Sequence, residues 1–209
     1  MTRFLATAFT IVLAGTLLVA GSLQPPVSYT IEPTSTEMYV EGGSTIHDWS
    51  CPIKGLSGSL RVDTAQTGNA SPASPLSGVL STQVSVPVDS IQCDNDTMNE
   101  KLREALQMNA YPEVYFSLED AQVSPLPDSG AHWFSVDATG ELILAGERRQ
   151  IDLPVRGRRH DDGTLRLTGS HTIRLSDYDI DRPSALMGTI TVSKEVTVHF
   201  DVTATPDTK

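Results

Sequence analysis

Phe134-Ser135-Val136-Asp137-Ala138-Thr139-Gly140-Glu141-Leu142-Ile143-Leu144 is the stretch that decides the fold class. Phe134, Val136, Ala138, Gly140, Leu142 and Leu144 fall on one face of an extended chain, against Ser135, Asp137, Thr139 and Glu141 on the other. That is the period-2 signature of a strand with one dry and one wet side. Upstream, Thr82, Val84, Val86 and Val88 follow Leu80 on one face, opposite Ser81, Gln83, Ser85 and Pro87. Downstream the pattern returns in Ile151, Leu153 and Val155, then in Leu165, Leu167, Gly169, His171, Ile173 and Leu175, and finally in Val196, Val198, Phe200 and Val202. Strands with a single apolar face hide it in a sandwich or in a closed barrel. Gly140 and Gly169 stand in mid-strand on the inward face, where curvature is easiest, which favours the barrel.

One segment breaks the alternation. Within residues 95–110, Thr97-Met98-Asn99-Glu100 has the form of a capping box and predicts a helix start. Met98, Leu102, Ala105 and Leu106 share a helical stripe that can close one barrel end and gate entry, and Tyr111-Pro112 stops the helix before a strand with Val114, Phe116 and Leu118 inward. Asp161-Asp162-Gly163 and Gly146-Glu147 mark chain reversals. Residues 64–77 and 124–130, rich in small and turn-forming residues, are expected surface loops.

The chain has 209 residues, 39% hydrophobic and 20% charged, which suits one globular domain. Residues 1–22 carry one basic residue, Arg3, then an uncharged apolar run and the small-residue exit Ala20-Gly21-Ser22. They are expected to be a secretory signal peptide, with a retained membrane anchor as the competing reading. Residues 23–209 then form the barrel domain, periplasmic or secreted. Cys51 and Cys93 are the only cysteines, both in the exported part, and an oxidising compartment predicts one disulfide; two separate buried thiols are the alternative. The formal net charge of −11 repels polyanions, and the basic clusters Arg148-Arg149 and Arg156 to Arg159 read as the solvated face of a strand pair. No nucleic-acid partner is expected.

The chemistry-bearing motifs are sparse. His47-Asp48-Trp49 puts an imidazole beside a carboxylate, but neighbours on a strand point to opposite faces, so a polar rim with Trp49 packed below is the preferred reading. Asp177-Tyr178-Asp179-Ile180-Asp181 opens like a calcium loop, yet its sixth position is Arg182 and its twelfth Gly188, where such a loop needs Gly and Glu. An exposed acidic loop is expected instead. His47, His132, His160, His171 and His199 show no metal spacing, and no nucleophile elbow, phosphate loop or dinucleotide fingerprint occurs. No catalytic residue, metal or cofactor is therefore assigned, and the chain is read as a non-enzyme. His171 alone falls on the apolar face of its strand, either as a satisfied core histidine or as a donor to a polar head group inside a hollow barrel.

Taken in order, four motifs resemble the YceI family of lipid- or polyisoprenoid-binding proteins. They are Gly43-Ser44-Thr45-Ile46-His47-Asp48-Trp49; the helix ending in Ala105-Leu106 that runs into Tyr111-Pro112-Glu113-Val114-Tyr115-Phe116; Gly140 to Gly146; and Leu175-Ser176-Asp177-Tyr178-Asp179-Ile180 followed by Pro183. Asp179 stands where the similar proteins usually carry Gly. The resemblance implies an all-β, lipocalin-like, eight-stranded antiparallel β-barrel with one short helix between strands. Its lumen would accept a long apolar chain: a polyisoprenoid, an isoprenoid quinone or a fatty acid. Cys51 and Cys93 look like the pair found in a subset of exported members.

A barrel of about eight strands holds either packed side chains or one slender ligand. Burying about ten methylenes supplies up to ~8 kcal/mol before association costs. The expected wall is Trp49 near the first hairpin; Val84 and Val86; Leu102 and Leu106 of the helix; and Phe116. It continues through Phe134, Val136, Leu142 and Leu144 to His171, Ile173, Met187 and Phe200. Two other functions compete with a carrier. One is a packed barrel acting through its acidic surface, favoured if Phe116, Phe134 and Phe200 fill the lumen; the other is an enzyme on an isoprenoid using His171 or His47. Transient membrane contact and a homodimer are further partner modes consistent with the sequence.

Overall fold

The alternation in 134–144 matures into β7 (Trp133–Leu144), whose even-numbered residues are buried up to Gly140, Leu142 and Leu144 while Asp137 is exposed. The computed structural model describes residues 26–63, 78–126, 129, 132–185 and 190–207. The proposed leader and Met187 lie outside them, as does the expected loop 64–77.

The long strands pair antiparallel in chain order, some across short reversals and others across longer connections. The first two staves of the barrel are each broken in the middle. β1 (Val27–Ile31) and β2 (Glu37–Ser44) are separated by a 3-10 turn at Pro33–Ser35, and β3 (Asp48–Pro52) and β4 (Ser57–Asp63) by the irregular stretch 53–56. β1 pairs β4 and β2 pairs β3, so the four segments amount to two staves. β5 (Gly78–Pro87), β6 (Glu113–Pro125), β7, β8 (Glu147–Arg159) and β9 (Leu165–Arg174) continue the meander. β11 (Ile190–Pro206) closes it against both halves of the first stave, Val198 opposite Val40 and Ile31 opposite Ala204, and a two-residue β10 (Ser184–Ala185) pairs its start. The result is a closed, eight-stranded, antiparallel up-and-down barrel.

Helix α1 (Asp96–Ala105) lies between β5 and β6 and caps the end of the barrel where those strands meet it, called here the upper end. Its start departs from the capping-box expectation. The N-cap is Asn95, whose side chain accepts from the Met98 N–H at 3.0 Å, so the helix begins ahead of Thr97. Asn99 turns inward instead: the Cys93 N–H donates to its Oδ1 at 2.7 Å, and its Nδ2 donates back to the Cys93 carbonyl at 3.1 Å.

Cys93 is bonded to Cys51, 42 residues away, with 4.2 Å between the Cα atoms. The expected disulfide is therefore present, and it ties β3 to the approach to α1.

A second departure concerns β5. A bulge between Arg61 and Val62 shifts the β4–β5 register, so Val79 opposite Val62 turns inward and Leu80 is 52% exposed. A one-residue slip reverses the faces of everything beyond it. The two-residue turn at Ala145-Gly146, both with positive φ, joins β7 to β8 as the twist of a hairpin prefers.

Candidate functional site

Inward-facing residues enclose two cavities of about 210 Å³ and about 160 Å³. They share Met38, Val114, Ile173 and Val198, which form a waist between a lower chamber in the strand-walled body and an upper chamber beneath α1. Of the residues expected to form the wall, Val84, Phe116, Phe134, Val136, Leu142, His171 and Phe200 line the lower chamber. Trp49, Val86, Leu102, Leu106 and Leu144 line the upper one, and Ile173 faces both. Met187 lies outside the described residues.

Three phenylalanines in the lower chamber could fill it, yet they do not, because each lies against a glycine of the next strand. A Cβ at Gly140 would stand 2.7 Å from the Phe116 ring, and one at Gly169 would stand 2.5 Å from that of Phe200. A Cβ at Gly157, paired with Phe134 across the β7–β8 ladder, would overlap the Phe134 ring. The missing side chains leave shelves in the wall, and the rings lie back into them. The inward bulk that favours a fully packed barrel thus becomes lining.

Polar groups facing the lumen are few. Thr82 and His171 line the lower chamber, and Lys101 borders the upper one with its ammonium on Glu104 at 2.8 Å. Burial pushes the half-buried His171 imidazole below its ordinary pKa; a hydrogen bond to the Asp152 carbonyl and the Asp152 charge pull the other way. Trp49 turns its ring inward and donates Nε1–H to the Gly43 carbonyl at 3.2 Å. His47 engages the Asp48 carbonyl at 2.8 Å rather than the carboxylate and is exposed, so the two form no acid–base pair. Among the described residues, no three His, Cys, Asp or Glu side chains gather as a metal site. In the acidic run, Leu175–Tyr178 forms a 3-10 turn capped by Asp179, which is left-handed at φ 51°.

The basic clusters are solvated, as expected. Arg148 pairs with Glu141 and Arg149 with Glu147, while Arg156 and Arg158 lie over the Trp133 ring at 4.6 and 5.6 Å.

Several wall residues escaped the sequence reading. Met38 and Val40 alternate in β2, so the period-2 rule could have found them, while Val198 was placed on the apolar face of its strand but not in the wall. Ile53 and Ile91 meet in an isolated bridge outside the long strands, where no periodicity signals them.

A closed eight-stranded barrel around a two-chambered lumen with an apolar lining defines the class: a calyx-like barrel. The chain belongs to the family of the YceI-like domain, whose model matches residues 29–204. Among solved structures it is similar to BcnA of Burkholderia cenocepacia, at 17% identity over 84% of this chain and 99% of that one, with a TM-score of 0.64. It is similar also to a polyisoprenoid binding domain from Saccharophagus degradans implicated in plant cell wall breakdown, at 16% identity over 87% and 99% of the two chains, with a TM-score of 0.62. A YceI protein of Campylobacter jejuni aligns at 16% identity over 75% and 84%, with a TM-score of 0.53. No curated protein sequence matches the chain.

Proposed function

We propose that this protein is an exported carrier that holds a long-chain apolar ligand, a polyisoprenoid, isoprenoid quinone or fatty acid, inside the barrel and performs no chemistry on it. The observation that carries this reading is the pair of contiguous apolar chambers, the lower one kept open by phenylalanine rings lying on glycines. Hydrophobic transfer alone supplies about 0.8 kcal/mol per buried methylene, so a slender chain needs no catalytic or metal partner to bind usefully. The family membership and the polyisoprenoid-binding neighbour support the ligand class. The Cys51–Cys93 disulfide, which persists in oxidising compartments, supports export through the leader at residues 1–22.

The wall residues named above are assigned to the ligand, with Ile173 at the waist and His171 as the polar contact in the lower chamber. The test is mass spectrometry of an organic extract of the mature protein, purified without detergent from an exporting bacterial host. A stoichiometric isoprenoid, quinone or fatty acid is expected. An empty extract together with failure to take up added lipid would overturn the carrier reading in favour of an interaction barrel.

A further inference from the structure

The β8–β9 ladder begins at Arg159 opposite Leu165 and ends at Val155 opposite Gly169. Beyond that point both strands continue without each other. Residues 147–154 of β8 pair with β7 alone, and residues 170–174 of β9 pair with β11 alone. The ladder stops at Pro154, which has no N–H to offer a neighbouring strand.

This gap opens on the lumen. Ile151, Leu153 and His171 line the lower chamber beside it, Ile173 belongs to both chambers and Leu175 to the upper one. His171 stands half-buried at the inner edge of the gap. At its upper end the Tyr178 hydroxyl is buried with no hydrogen-bond partner among the described residues, and Arg149 lies over the Tyr178 ring at 5.9 Å. Backbone groups along two unjoined edges must otherwise turn to water, and a buried donor without a partner is rare. The unjoined edges mark where the wall is not zipped, and the buried Tyr178 closes the upper end of that stretch.

We propose that the unzipped β8–β9 seam is a lateral portal through which a single-chain lipid enters the lumen. This rests on the carrier reading. The β5–β6 ladder also stops short, at Gln83 opposite Ser117, but the residues beside that gap, Val79, Thr82 and Leu118, face the lower chamber only. The β8–β9 seam runs past the waist, so a chain threaded through it reaches both chambers without displacing α1, the gate expected from the helical stripe.

The experiment uses Asp152→Cys with Thr172→Cys, exposed positions that would face each other if the Val155–Gly169 register continued, joined by a short bismaleimide. The native cysteines are bonded to each other and do not react. Arg156→Cys with Thr168→Cys, already paired in the closed part of the ladder, is the control. The probe is cis-parinaric acid, followed by its fluorescence on mixing with each variant before and after cross-linking, so that each protein reports its own folded baseline.

Cross-linking at 152 and 172 is expected to slow uptake, and release of preloaded probe, at least about tenfold, while the control changes by less than about twofold. A 152–172 cross-link that leaves both rates within about twofold of its own baseline would overturn the portal and leave the carrier reading standing. Should the uncross-linked proteins take up no probe, the carrier reading falls and the portal with it.

Discussion

The two chambers have similarly apolar linings but are built by different means. The lower one is walled by strands alone, and its volume is set where phenylalanine rings meet the backbone of Gly140, Gly157 and Gly169. Those contacts have no freedom to adjust, since a strand cannot retreat without breaking its ladder. The upper chamber is roofed by α1, and its helical lining is aliphatic: Met98, Leu102, Ala105 and Leu106, all only partly buried. One helix tethered through Asn99 and the Cys51–Cys93 bridge can shift against its neighbours in a way a barrel stave cannot. On the carrier proposal, the rigid chamber would select the shape of a chain and the tethered one would tolerate its length.

Truncating one side chain in each chamber should expose this difference most strongly. Phe134 is fully buried on its glycine shelf, and Phe134→Ala is expected to cost about 3–5 kcal/mol in denaturant unfolding. Leu102→Ala, which enlarges a space already empty beneath a half-buried residue, is expected to cost less than about 2 kcal/mol. Equal losses would mean that the chambers share one mechanical character. The next largest effect concerns the tether. Replacing Cys51 and Cys93 together by Ala opens a loop closed across 42 residues and should lower stability by about 4 kcal/mol in the chain-entropy model. Probe capacity of the lower chamber should survive this change, whereas amide exchange in α1 should accelerate; unchanged exchange there would show that the tether does not hold the helix.

What the sequence disclosed follows the same division. The strand walls were legible because a half-buried strand must alternate, and Val84, Phe116, Phe134, Val136, Leu142 and Phe200 all face the lower chamber as that rule requires. The rule failed at Leu80, where a bulge reverses the faces, because nothing local to 78–82 announces an extra residue. The helix was legible but its first turn was not: Asn95 and Thr97 are both good caps, and the choice fell to Asn95 because Asn99 is committed to Cys93. Neither the broken first staves nor the bridge between Ile53 and Ile91 leaves a periodic trace. The stop of the β8–β9 ladder did leave one. A proline inside an otherwise clean strand is a signal of an unpaired edge, and Pro154 stands between the inward-facing Leu153 and Val155, whose alternation masks it.

The smallest expected effect separates the chambers by their titration. His171 is the histidine that lines the lower chamber, while Lys101 at the upper one is held charged by its bond to Glu104. In the unfolded chain the imidazole titrates at its ordinary 6.5; in the fold, burial lowers that value against the opposing pull of the Asp152 carbonyl and charge. Above the ordinary value both states are neutral and the stability contributed by the buried neutral ring is complete. As pH falls from there toward the lower folded value, the unfolded chain binds a proton that the fold refuses, so stability declines through that window. Thermal melts at about pH 7.5 and about pH 5.5 should therefore show a larger drop for the wild type than for His171→Leu, whose leucine does not titrate. An equal drop in both would mean that the imidazole is as well solvated in the barrel as in the open chain. The β8–β9 seam beside it would then admit water freely even without ligand.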